Sequence, residues 1–290
     1  MTIITDPRCT EYRTPGHPEK PFRVVRTVEL LKSQRTLPLN WAEPSEVTRE
    51  QLLRGHSAEH LALLETPADF DADTPHYPDI ANHARRGVGG AIRALDLALA
   101  GEPAFSLLRP PGHHAVRDHP MGFCYLGSIA LAALEARSRG LRVAVFDFDV
   151  HHGNGTEALL AGQDGIAFAS IHQSPAYPGT GLADVGSNCF NHPVAPGASR
   201  DTWRAAFRKG LDRLLATKPQ VLAVSAGFDG YKGDPLAHGT LEREDFEWLG
   251  NIVRETGIPA FSILEGGYSL DLPDLVLMYL IGWSGINRAA

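Results

Sequence analysis

The sequence predicts an α/β protein, one mostly parallel central sheet with helices on both faces. Two observations carry this. Short apolar or β-branched runs alternate with longer stretches of helical periodicity, the pattern of strands joined by crossover helices. Four of those runs also lead directly into clusters of polar residues, and open α/β sheets gather their ligand groups beyond the carboxyl ends of strands. With 290 residues and 43% apolar content, the chain can bury a large core, and no composition shift, linker or repeat marks a boundary. The expectation is a single domain over residues 1–290.

In chain order, the patterning predicts helices near 22–34 and 82–100, a strand at 105–109 (FSLLR) and a helix near 126–139. Strands follow at 142–149 (RVAVFDFD) and 166–171 (IAFASI). A helix near 201–216 places Trp203, Phe207, Leu211, Leu214 and Leu215 on one core-facing stripe. A strand at 220–225 (QVLAVS), a helix near 242–256 and a strand at 258–264 (IPAFSIL) complete the pattern.

Composition narrows the partners. A net charge of −7 and a pI near 6.0 argue against nucleic acid or an anionic membrane as the main partner. No apolar run reaches the roughly 18 residues that span a bilayer. The opening MTIITDPRC has neither the basic start nor the apolar stretch of a signal peptide. Cys9, Cys124 and Cys189 are odd in number and unpatterned, which suits a reducing compartment. The expected location is the cytoplasm. The oligomeric state is left open.

The most informative stretch is 142–154, RVAVFDFDVHHGN. Read as a strand, it puts Asp147, Asp149 and His151 on one face at i, i+2 and i+4. Two carboxylates and an imidazole together call for a cation, and their donors suit Zn²⁺. Asp229, behind 220–225, would complete a set of Asp149, His151 and Asp229, leaving a coordination position open as catalytic sites do. His113 and His114 follow Arg109-Pro-Pro-Gly, and Asp147 and Asn154 are the natural partners to set their tautomers. One of the pair can act as a general base while the other tunes its charge. Tyr268, after Gly266-Gly267, can donate to a developing oxyanion. Phe123 and Tyr177 sit beside glycine or proline in loops and can line a narrow apolar channel. Each residue alone also has an ordinary reading, Asp229 as a cap or turn residue and the aromatics as loop packing. Four polar clusters at one sheet edge favour the chemical one.

Taken together, these segments resemble the zinc-dependent histone deacetylase family with its bacterial relatives, the acetylpolyamine amidohydrolases and acetoin-utilisation proteins. The resemblance is carried by RPPGHHA (109–115), GFC (122–124), FDFDVHHGNGT (146–156), SIHQ (170–173), YPGTG (177–181), SAGFDGYKGDPLA (225–237) and EGGYSL (265–270). HPEKPFR (17–23) fits the family's N-terminal segment, and the likeness runs from about residue 15 to 275. It implies the arginase–deacetylase fold and one catalytic Zn²⁺ on Asp149, His151 and Asp229. It also implies His114 as general base and acid, His113 as its electrostatic partner, and Tyr268 polarising the amide carbonyl. Phe123 and Tyr177 become the tunnel walls with Gly122 and Leu236 beside them, Asp73 a contact to the substrate backbone, and Arg23 part of an inner acetate-release region. A structural K⁺ would sit on Asp147, Ser170 and the carbonyls of Asp149, His151 and Ile171.

Three departures from the family pattern stand out. Leu126-Gly127-Ser128 replaces an asparagine-rich stretch, LADVGSNCFNHPV (182–194) replaces a glycine-alternating run, and a long insertion of dimeric polyamine-type relatives is missing. The expected activity is removal of an acyl group, acetyl first, from an amine such as lysine Nε, the substrate partner being an acylated lysine or small acyl-amine. An acetylpolyamine deacetylase is the alternative, and a catalytically silent acyl-ligand sensor is a rival of another class. A two-metal arginase-like enzyme would want Asp-x-His-x-Asp, and Gly153 stands at its last position.

Overall fold

A computed structural model describes residues 1–286. The elements run β1 (Thr2–Ile4), α1 (Phe22–Ser33), β2 (Asn40–Ala42), α2 (Arg49–Leu53), α3 (Ala58–Leu63), α4 (Ile80–Leu99), β3 (Ala104–Ser106) and α5 (Ser128–Ser138). They continue with β4 (Val143–Asp147), α6 (Asn154–Leu160), β5 (Ile166–Gln173), β6 (Cys189–Val194), α7 (Arg200–Ala216), β7 (Val221–Ala226), α8 (Arg243–Glu255), β8 (Ala260–Leu264) and α9 (Leu272–Ser284). The strands form one sheet in the order β2-β1-β3-β8-β7-β4-β5-β6, and every neighbouring pair is parallel.

Strands β4, β5, β7 and β8 are buried at every residue, as a sheet covered on both faces requires. The order explains where a site forms. Strands β3, β8, β7 and β4 are consecutive neighbours, so the four polar clusters that follow them meet at one edge. The predicted α/β class with a parallel sheet is the fold observed.

Patterning alone did not reveal some elements. Helix α9 (LPDLVLMYLIGWS) is apolar on nearly all sides, so it shows little amphipathic period. Strands β1 and β2 are three residues each, and β6 carries Pro193 among mixed polar residues. One correction matters for the site. The strand expected at 142–149 ends at Asp147. Asp147 Oδ1 accepts the Asp149 N–H at 3.0 Å, and Asp149 Oδ1 accepts the His151 N–H at 2.9 Å. These side chains compete with the strand ladder and turn the backbone. Asp149 and His151 therefore leave the strand face on which Asp147 remains.

Candidate metal centre and catalytic pocket

Asp149 and His151, from the turn after β4, meet Asp229, from the turn after β7. Each offers one ligand atom, and the three atoms lie within 4.8 Å of one another. His151 Nδ1 is 3.0 Å from Asp229 Oδ2 and 3.3 Å from Asp149 Oδ1. The backbone aims both carboxylates: Asp149 Oδ2 accepts from Gly266 N at 2.7 Å and Asp229 Oδ1 from Val150 N at 2.9 Å. Glycine is required where the backbone comes this close. A Cβ on Gly266 would fall 2.1 Å from Asp229 Oδ2, and one on Gly227 2.2 Å from Asp149 Oδ2.

Two wholly buried carboxylates with one imidazole between them form a centre short of positive charge. Burial by itself would lower the His151 pKa, but hydrogen bonds and charges from Asp149 and Asp229 raise it well above the ordinary imidazole value. A site that draws a proton onto its imidazole favours positive charge, and a divalent ion bound there would displace that proton. The donor set fits such an ion.

Asp147 does not join this cluster. Its Oδ2 lies 3.1 Å from His113 Nδ1, behind the ring. Burial opposes charge on His113, yet Asp149 and then Asp147 outweigh it and push its pKa up to about 10. His114 is the opposite case. Burial first, then the neighbouring His113 and His151, hold its pKa well below the usual range. Its Nδ1 donates to Asn154 Oδ1 at 2.7 Å, which leaves Nε2 with a free lone pair. The rings are 4.0 Å apart between centroids. Adjacent histidines thus become one imidazolium and one neutral base.

A pocket of about 200 Å³ opens over the cluster, lined by Asp73, His114, Gly122, Phe123, His151, Tyr177, Leu236 and Tyr268. The Tyr177 ring stands edge-on to His114 at 5.0 Å, and Phe123 stands edge-on to Tyr268 at 5.8 Å. Gly122 has φ +56°, and a Cβ there would strike the His114 ring at 2.6 Å and Tyr177 at 2.9 Å. Burial raises the Tyr268 pKa well above 10, so its side chain stays a phenol and a donor.

Arg23 and Ser170, assigned to an inner region and to a K⁺ site, lie off the pocket wall. Carbonyls and a carboxylate take the donors of Arg23. Its Nε donates to Gly267 O at 2.7 Å, Nη2 to Glu265 O, and Nη1 to Glu19 Oε1 at 3.2 Å. The guanidinium sits 4.8 Å from the Tyr268 ring centroid and props it from behind. Ser170 pairs with Asp147 across β4 and β5, while its Oγ contacts His172 Nδ1 at 3.0 Å and Ile171 lies in the same strand.

Residue patterning missed several supports. Glu265 Oε2 accepts from Gly112 N at 2.7 Å and His113 N at 3.2 Å, fixing the histidine pair from β8. Asp234 accepts from Tyr268 N at 2.6 Å and Ser269 N at 3.1 Å and so sets the tyrosine's backbone. Glu19 holds Arg109 as well as Arg23. A charged residue directly after a buried apolar strand, such as Glu265, is the signal that could have found them.

The Tyr177 loop is held from below. His152 Nδ1 contacts Thr180 Oγ1 at 2.7 Å, and His172 Nε2 donates to Gly181 O at 3.1 Å. Burial pushes the His172 pKa down to about 3. Below pH 6.5 the unfolded chain therefore takes up a proton that the folded chain refuses, and stability falls on acidification through that window. The stability advantage of wild type over His172→Gln should shrink by about 1 kcal/mol per pH unit below 6.5. Urea midpoints of both proteins at pH 7.5, 6 and 5 check this, and a constant gap would contradict it.

Comparison with known proteins identifies the family. A histone deacetylase domain matches residues 17–280. The histone deacetylase-like amidohydrolase of Pseudomonas aeruginosa is 37% identical over 88% of this chain and 73% of its own length. The chain belongs to the histone deacetylase family. Among solved structures, the HDA15 HD domain matches at a TM-score of 0.91 and 30% identity, over 98% of this chain and 91% of that one. An acetylpolyamine aminohydrolase from Burkholderia pseudomallei also reaches 0.91, at 25% identity over 99% and 100%. This deacetylase is thus a hydrolase of the amidohydrolase type, and its fold is shared by relatives named for different substrates. No helix among its described residues is long and apolar enough to cross a membrane.

Proposed function

We propose that this deacetylase is a zinc-dependent, single-domain enzyme of the cytoplasm that removes an acetyl group from lysine Nε. The observation that carries the reading is the buried Asp149–His151–Asp229 cluster, with a neutral His114 and Tyr268 on the wall of the pocket above it. Those three residues would hold one Zn²⁺, which when bound polarises a carbonyl and acidifies a water.

The side chains supply the remaining steps. His114 Nε2 takes a proton from the attacking water and later returns it to the leaving amine. His113, charged and paired with Asp147, keeps His114 neutral and adds positive charge beneath the developing oxyanion. The Tyr268 hydroxyl donates a hydrogen bond to that oxyanion. Phe123 and Tyr177 align a linear acyl-amine and exclude water. A structural K⁺ on Asp147, Ser170 and the carbonyls of Asp149, His151 and Ile171 belongs to the same proposal, supported by the β4–β5 register that pairs Asp147 with Ser170.

Lysine is preferred over polyamines for reasons at the pocket mouth. Leu236 lines it without charge, and Asp73 is the carboxylate on the wall. Asp184 is paired with Arg213 at 2.7 Å, and Asp234 is buried under Tyr268. A polyamine site needs more negative charge than this to hold several ammonium groups.

Metal content with a substrate panel tests the reading. One zinc per chain and a higher kcat/KM for acetyl-lysine peptides than for acetylspermidine or acetylputrescine are expected. A tenfold preference for acetylpolyamines would overturn the substrate choice and leave the mechanism standing; metal-loaded protein inert on every member would favour the silent sensor. Tyr268→Phe should lower kcat by about 10²–10³ with the metal retained, as for one lost oxyanion donor. An unchanged kcat would remove Tyr268 from the mechanism.

A further inference from the structure

Beside the acyl pocket lies a larger cavity of about 830 Å³. The two share Leu236 and Tyr268, so they lie next to each other across those side chains. Arg13 and Lys20 are the fully charged side chains of the second cavity, and no carboxylate lines it. Neither cation forms an ion pair among the described residues; the Lys20 ammonium lies 5.6 Å over the Phe22 ring, and Arg13 is exposed.

The segment carrying them is fixed to the acyl pocket itself. His17 Nε2 donates to Asp73 O at 3.1 Å while its Nδ1 accepts from Glu19 N at 3.1 Å. The His17 ring stands edge-on to Phe123 at 4.7 Å. The segment that carries these two cations is thus anchored beside the mouth through His17.

We infer that this cavity receives the chain flanking the acetylated lysine and selects substrates with an aspartate or glutamate within about two residues of it. At an extended reach of roughly 3.3–3.6 Å per residue, two residues carry a side chain roughly 7 Å along from the lysine. The inference rests on the acyl-lysine reading above and adds the sequence class of the substrate. A carboxylate placed there gains two cationic partners, whereas a lysine or a polyamine ammonium meets like charge. Exposed pairs are individually weak, so the two together should discriminate by about tenfold.

Three peptides test it, identical except for Glu, Gln or Lys on both sides of one acetyl-lysine. Wild type should rank them Glu, Gln, Lys in kcat/KM over about tenfold, mainly through KM, and salt should compress the range. The Arg13→Glu/Lys20→Glu variant should invert the order; if it folds poorly, Arg13→Gln, on an exposed side chain, should narrow the Glu-to-Lys ratio. Equal rates for all three in wild type, or an unchanged ratio in the variants, would overturn the subsite while cleavage of the Gln peptide leaves the acyl-lysine reading intact. Hydrolysis of acetylspermidine with none of the peptides cleaved would overturn both.

Discussion

Asp229→Ala is expected to abolish deacetylation and to cost the protein its metal. Asp229 joins the centre from a strand far along the chain, whereas Asp149 and His151 are two residues apart and share one turn. Removing it leaves two ligands and takes away the 3.0 Å partner of His151 Nδ1. It also frees Val150 N, which Asp229 Oδ1 accepts at 2.9 Å, so the turn carrying the other ligands loosens as well. Losing a residue that merely supports a ligand costs about 10–100-fold in metal affinity, and losing a ligand should exceed the upper end of that range. Metal per chain after dialysis and kcat under saturating zinc measure the two effects separately. Asp229→Asn, which keeps the shape and removes one charge, should fall between. One tightly held zinc per chain with near wild-type turnover in Asp229→Ala would sink the assignment.

Much of this centre is legible in the sequence because its residues come directly after buried strands, where a charge has no ordinary reason to be. The Asp147–Asp149–His151 spacing led to the Asp149–His151–Asp229 cluster by an incomplete geometry. Alternation holds only while the backbone stays extended, and the carboxylates of Asp147 and Asp149 bend it by capturing N–H groups two residues ahead. That bend separates the roles: Asp147 stays behind His113 while Asp149 turns toward His151 and Asp229. Other parts leave no local trace. Glu265 fixes Gly112 across 153 positions, and Arg109 finds Glu19 across 90. Such pairings depend on sheet order, which strand and helix signals do not determine. The Tyr177 wall is similar: its loop reads only as a loop, and its placement comes from His152 and His172 beneath it.

His114→Ala should lower kcat by about 10²–10⁴, the usual worth of general acid–base catalysis. The argument rests on protonation state as well as position. A deeply buried imidazole beside the cationic His113 stays neutral, and Asn154 fixes the tautomer so that Nε2 is the free acceptor. His113→Ala should be milder, because it removes a charge that tunes the base and leaves the base in place. It should also move the acid limb of the kcat–pH profile to higher pH. His113 is one cause of the depressed His114 pKa, so deleting it lets that pKa rise and the base protonate sooner on acidification. Unchanged zinc content in both variants separates these effects from damage to the metal centre. If His114→Ala stayed within tenfold of wild type, the proton would have to pass through another group, and His113, pushed up to about 10 and held by Asp147, is poorly suited to accept it.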